Sequence, residues 1–244
     1  MQKRTYILVF LVLSGLMARA QNSYEGSIVN WTGGGAIIGY YDIFNSHMIP
    51  LGETDSLGNF MLQLEPDPIS RIMEKEAAAR DYPEEWKMKY NTLENYFGGE
   101  HSKIKITNAQ TLIAVLPEFH LKGKQENVDR GVLLTVSSPG VADFLITWGE
   151  ANIKPGDYYL NWIFTNDEAQ VNGHFTLRAL TGHEDEVVDI TTTLDLKFHK
   201  GWNILKTEFT EIFISENGNI NPTKVLITHI EAVPEDVQWL VSLD

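Results

Sequence analysis

From Lys103 to Leu243 the chain is a succession of short apolar segments, and this pattern constrains its fold more than any other feature. KIKITNAQTLIAVLPEFHL, GVLLTVSS, VADFLITWGE, DYYLNWIFTN, QVNGHFTLRAL, VVDITTTLDLKF, WNILKTEFTEIFI, KVLITHIEAV and VQWLVSL each read as strand, with Gly, Asn, Asp and Pro between them. Short strands punctuated by turn residues predict an antiparallel sandwich or barrel. FTEIFISENGNINPTKVLITHI reads as a hairpin turning at ENGN. Before residue 67 the segments YEGSIVNW, AIIGYYDIF, HMIPLGETD and FMLQLEP continue the pattern. TDSLGNF has the composition of a β-turn. A calcium loop would need oxygen ligands at alternate positions, and the alternate position after Asp55 is Leu57.

Residues 67 to 97 depart from this pattern. DPISRIMEKEAAARD and PEEWKMKYNTLENYF are helical in character, and in the second Trp86, Tyr90, Leu93 and Phe97 form one apolar stripe. Pro83 suits a first helical position, Glu84 and Glu85 suit the positive N-terminal end, and Gly98-Gly99 stops the helix. Such a stripe packs on its own sheet or binds a partner, and the expectation is core. The prediction is a mainly β protein, an antiparallel β-sandwich of Ig-like or transthyretin-like type with a helical insertion at about 67–97. The divisions are a signal peptide at 1–20, an N-terminal β-module at 21–66, the insertion at 67–99 and a C-terminal sandwich at 100–244, which joins 21–66 in one domain or stands apart. No repeat of fixed period is present.

The first twenty residues bear on location. MQKRTYILVFLVLSGLMARA has a basic start, an apolar centre and an A-x-A end, which predicts cleavage after Ala20 and an extracytoplasmic protein, periplasmic or secreted. The apolar run is short for a membrane span, which needs about 20 residues, and no second run follows. The chain has no cysteine, so a disulfide framework and thiolate chemistry are excluded. An exported chain of this kind must be held by its core. Lys3, Arg4 and Arg19 lie within the signal, so its removal takes the net charge from −14 to −17. That charge disfavours nucleic acid and anionic membrane surfaces as partners.

Two sets of residues carry a resemblance. GSIVNWTGGGAIIGYYD with MIPLGETDSLGNFMLQL, and GDYYLNWIFTNDEAQVNGHF with TTTLDLKFHKGWNILKTEF and VPEDVQWLVSL, resemble a group of uncharacterised extracytoplasmic bacterial β-proteins. A strand ending in Trp31 meets a glycine-rich turn there, and K-G-W-N follows a Leu-rich strand. The first part also looks like the carboxypeptidase regulatory-like and transthyretin-like modules. The resemblance implies an all-β fold and an extracytoplasmic life, and it carries over no catalytic residue. The glycine run does not match a dinucleotide fingerprint: counting from Gly33 the sixth position is Ile38, and a strand follows instead of a helix. WTGGG is therefore expected to be a turn between the first two strands.

No G-x-S-x-G, P-loop or H-E-x-x-H motif is present, and no two histidines stand at i, i+4. GHEDEVVD gathers His183, Glu184, Asp185, Glu186 and Asp189, a candidate loop for a divalent cation such as Ca2+, against the plainer reading of a solvated acidic turn. Trp31, Trp86, Trp148, Trp162, Trp202 and Trp239 form either a ligand platform or core, with Trp202 expected to be a structural plug. The expected function is a non-enzymatic structural or binding role toward an envelope or extracellular protein or glycan, with no cofactor. The alternative is a carbohydrate-active hydrolase using a carboxylate pair on a β-sandwich.

Overall fold

The computed structural model describes residues 22–41, 47–78, 90–99, 103–124, 128–147, 152–183 and 185–242. The expected signal peptide at 1–20 lies outside the described residues. The first part comprises β1 (Ser23–Ser27), β2 (Ala36–Tyr41), β3 (Met48–Thr54), β4 (Asn59–Gln63), α1 (Pro68–Ala78) and α2 (Leu93–Phe97). Then come β5 (Lys103–Thr107), β6 (Ile113–Val115), β7 (Phe119–Gly123), β8 (Asp129–Val136), α3 (Pro139–Thr147) and β9 (Tyr158–Thr165). The chain ends in β10 (Ala169–Leu180), β11 (Val187–Phe198), β12 (Gly201–Ile214), β13 (Ile220–Ile230) and β14 (Gln238–Ser242). The fold is mainly β and sandwich-like, as the alternating segments required.

The strands pair in the order β1-β4-β3-β2-β7-β8-β9-β12-β13-β11-β10-β5, with β14 also on β8 and β6 also on β9. This sheet divides into two halves, because β8 and β9 meet through one pair only, Val136 with Tyr159. The first half curls until Ile28, just past β1, bridges Trp239 of β14, though the sheet stays open. Most pairings are antiparallel, but Thr191–Asp195 of β11 run parallel to Lys224–Thr228 of β13. The cause is the order of strands. β13 folds back on β12 as a hairpin and lies between β12 and β11, so it runs in the direction of β11.

One core fills the space between the halves. β9 turns Tyr158, Leu160, Trp162 and Phe164 inward against Tyr24, Ile38, Leu62 and Phe119 of the first half. Trp162 is its hub, with ring centroids 5.5 Å from Tyr24, 5.4 Å from Phe119 and 6.0 Å from Trp239. Such aromatic pairs each contribute about 0.5–1.5 kcal/mol beyond their burial. Residues of the 21–66 and 100–244 stretches thus share this core. The opposite face of β9 and β12 turns Ile163 and Leu205 toward a second cluster with Leu93, Leu194 and Leu196.

The helical insertion is present, with a different second helix. In α1, Asp67 caps the start before Pro68, its Oδ1 accepting from the Ser70 amide at 3.0 Å. Arg71 then bonds Glu65 at 2.7 Å and Tyr40 at 2.8 Å, fixing α1 to the sheet. α2 begins at Leu93, because Thr92 caps it by accepting from the Asn95 amide at 3.2 Å. Tyr90 lies outside it, so the expected four-residue stripe is not one helix face; Trp86 lies outside the described residues. Leu93 and Phe97 pack in the second cluster, which is the core reading.

Two further expectations are corrected. VADFLITWGE reads as a strand in the sequence, yet Pro139–Thr147 is the helix α3. Ser138 and Pro139 start it, with the Ser138 carbonyl accepting from Val141 at 3.1 Å, and Val141 and Ala142 are buried with Phe144 and Leu145 against them. WTGGG links β1 to β2, but those strands are separated by β4 and β3, so the segment crosses the sheet end and is not a hairpin turn. Trp31 donates from Nε1 to the Gly34 carbonyl at 2.7 Å, and Gly34 has φ of 74°.

Candidate functional site

Beyond the Val136–Tyr159 pair the edges of β8 and β9 part and leave a cleft of about 390 Å3. Its far end is closed by the segment Leu116–Glu118, which passes from β6 on β9 to β7 on β8, and the Leu116 amide donates to the Trp162 carbonyl at 2.9 Å. Leu133, Leu134, Leu160 and Tyr159 form the walls, and α3 supplies Leu145 and Ile146 on one side. Glu118 is the one charged residue among its described lining. The cleft has the size and apolar character of a small-ligand or side-chain pocket. The cleft has no direct signature in the sequence, because its wall depends on α3, whose residues read as strand. The Ser-Pro start with apolar residues at 141, 142, 144 and 145 was the signal available.

The tryptophans of the described residues belong to the core. Trp162 is 3% exposed, and Trp202 and Trp239 are each 5% exposed. Trp31 is half-buried, while Trp86 and Trp148 lie outside the described residues. Trp202 is the plug expected of it, donating from Nε1 to the Glu65 carbonyl at 2.7 Å.

The acidic segment 183–189 joins β10 to β11, and Glu184 lies outside the described residues. The Thr181 hydroxyl donates to the Glu186 carboxylate at 2.7 Å, and the Glu186 amide donates to the His183 carbonyl at 2.9 Å. Asp189 stands opposite Arg178 in the β10–β11 register. Asp55, in the expected β-turn, accepts from the Leu57 and Asn59 amides at 2.8 and 2.9 Å. The Asn59 side chain, followed by these amides, holds its carboxyl below the usual carboxylate range.

Among the described residues a different group gathers metal-capable atoms: His199, His229 and Glu231, all within 4.8 Å of one another. The order β12-β13-β11 makes the connection from β11 to β12 step over the end of β13 in His199 and Lys200. Gly201 turns it with φ of 109°. Asn203, 1% exposed, holds the step: its Nδ2 donates to the His199 and Gly201 carbonyls at 2.9 Å, and its Oδ1 accepts from the His199 amide at 3.0 Å. The imidazoles of His199 and His229 meet edge to face at 5.3 Å. His229 Nδ1 lies 3.8 Å from Glu231 Oε1, and His229 Nε2 is buried with no hydrogen-bond partner. Burial lowers the pKa of His229, with Glu231 opposing and His199 adding to the shift.

A second, shallower cavity between β1 and the loop before β14 carries Glu25 and Glu235, both exposed. Among its described lining the main cleft has a single carboxylate, Glu118, against the pair used in glycoside hydrolysis. No helix among the described residues is long and apolar enough to cross a membrane. Comparison with known protein families, curated proteins and solved structures finds no match to this chain.

Proposed function

We propose that this protein is a non-enzymatic extracytoplasmic binding protein whose cleft between β8 and β9 receives an apolar side chain of a partner polypeptide. The carrying observation is the cleft itself, about 390 Å3 and walled by Leu, Ile and Tyr side chains. Its charge points to the kind of partner. Glu118 at the cleft and a net charge of −14 favour a basic segment that flanks the apolar anchor. The N-terminal leader pattern supports the extracytoplasmic setting. A glycan is the weaker choice, because stacking on sugars needs exposed aromatic faces, and Trp162, Trp202 and Trp239 are buried.

The test is a peptide array and a glycan array on the purified protein, followed by titration of the best binders. Peptides pairing an aromatic or aliphatic residue with Lys or Arg are expected to bind, more weakly as salt rises. Ile146→Asp, on the exposed side of α3, is expected to weaken binding by about tenfold, equal to about 1.4 kcal/mol. Leu57→Asp, at a residue 75% exposed in the distant β3–β4 turn, is the control and leaves binding unchanged. Glycan binding alone, or equal affinity in both variants, contradicts the proposal.

A further inference from the structure

We propose that His199, His229 and Glu231 bind one divalent transition-metal ion of the zinc class. None of the three lines the β8–β9 cleft, so this site stands apart from the binding role above. Its origin is topological. The parallel pairing of β11 with β13 sends both strands out at one end of the sheet, where His199 follows β11 and Glu231 follows β13.

The state of each side chain agrees with coordination. His229 has a side chain 10% exposed, its Nε2 is buried without a hydrogen bond, and its Nδ1 lies 3.8 Å from Glu231 Oε1. A buried imidazole without a hydrogen bond is costly, and an ion shared by Nδ1 and the Glu231 carboxylate would give the ring a fixed partner. The backbone of His199 is fixed by Asn203 and by the Thr165 hydroxyl, which donates to its carbonyl at 2.7 Å. His199 Nδ1 lies 3.4 Å from the Lys200 carbonyl. A carbonyl only accepts, so this long contact suits the tautomer with its proton on Nδ1, which leaves the lone pair on Nε2. Glu231, with a side chain 85% exposed, supplies the negative charge and an open approach from solvent.

The donor set gives the metal class. Two imidazoles with one carboxylate suit zinc and its neighbours, whereas calcium and magnesium prefer sites built of oxygen alone. Three protein ligands also leave a position for water or a partner's side chain.

The experiment is calorimetric titration of Zn2+ into the tag-free, EDTA-dialysed protein, repeated with Ca2+. One saturable Zn2+ per chain is expected, with Ca2+ bound far more weakly. His199→Ala and Glu231→Gln lie on the surface side of the group and are checked for folding by their thermal midpoints in EDTA. His199→Ala is expected to weaken Zn2+ binding more than about tenfold, and Glu231→Gln to weaken it as well. The double variant Asp185→Asn with Glu186→Gln is expected to bind as the parent does. No saturable Zn2+ binding, or binding unaffected by His199→Ala, overturns the proposal. Loss in the Asp185/Glu186 variant instead moves the site to the β10–β11 loop and overturns it equally.

Discussion

Asn203 is a polar side chain 1% exposed, and its value lies in the backbone it holds. It closes three hydrogen bonds around the step from β11 to β12. Asn203→Ala takes the acceptor from the His199 amide and a donor from the Gly201 carbonyl, while Thr165 still donates to the His199 carbonyl, at a cost of about 1–3 kcal/mol. Urea denaturation measures this loss. The K-G-W-N residues stand out in the sequence, and the plug role of Trp202 is readable there, but the work of Gly201 and Asn203 is not. Gly201, Trp202 and Asn203 act as turn, plug and staple only once β13 lies between β11 and β12. His199 and His229 are thirty residues apart with no spacing signal, so their meeting was hidden for the same reason. Tyr24 gives a pH expectation at this scale. Burial raises its phenol to about 12, against about 10 in the unfolded chain. Its contribution is complete below pH 10 and is lost as pH rises toward 12. The thermal midpoint is expected to fall across that window, and less steeply in Tyr24→Phe.

Elements were readable where one signal dominated. β11 matches VVDITTTLDLKF residue for residue, and the ENGN turn joins β12 to β13 with Gly218 at φ 90°. The signals competed at α3, where Val141, Phe144, Leu145 and Ile146 suit either a strand or a short helix, and Ser138-Pro139 decided for helix. α2 is short because Thr92 caps it, and its anchoring rests on Leu93, which is 0% exposed. Leu93→Ala is expected to cost about 2–5 kcal/mol, since the surrounding side chains of β6, β9 and β11 cannot all close on the space. Chemical denaturation checks it. A change below about 1 kcal/mol would show that α2 lies on the surface and does not anchor the second cluster.

At the scale of the whole molecule, the sandwich-like class follows from alternation and turns, but the division of the sheet does not. Two halves joined by Val136 and Tyr159 arise from long-range pairing that no local pattern specifies. The cleft is a result of that division, closed at one end by Leu116–Glu118 and walled by α3. Its proposed role therefore depends on the fold as a unit, with Trp162 at once the hub of the core and part of the cleft lining. The most direct measurement is hydrogen exchange by mass spectrometry with and without the strongest apolar-basic peptide from the array. Slower exchange confined to Leu116–Phe119, Val132–Thr135, Leu145–Ile146 and Tyr159–Trp162 is the expected result. Protection elsewhere, or none at saturating peptide, contradicts the account.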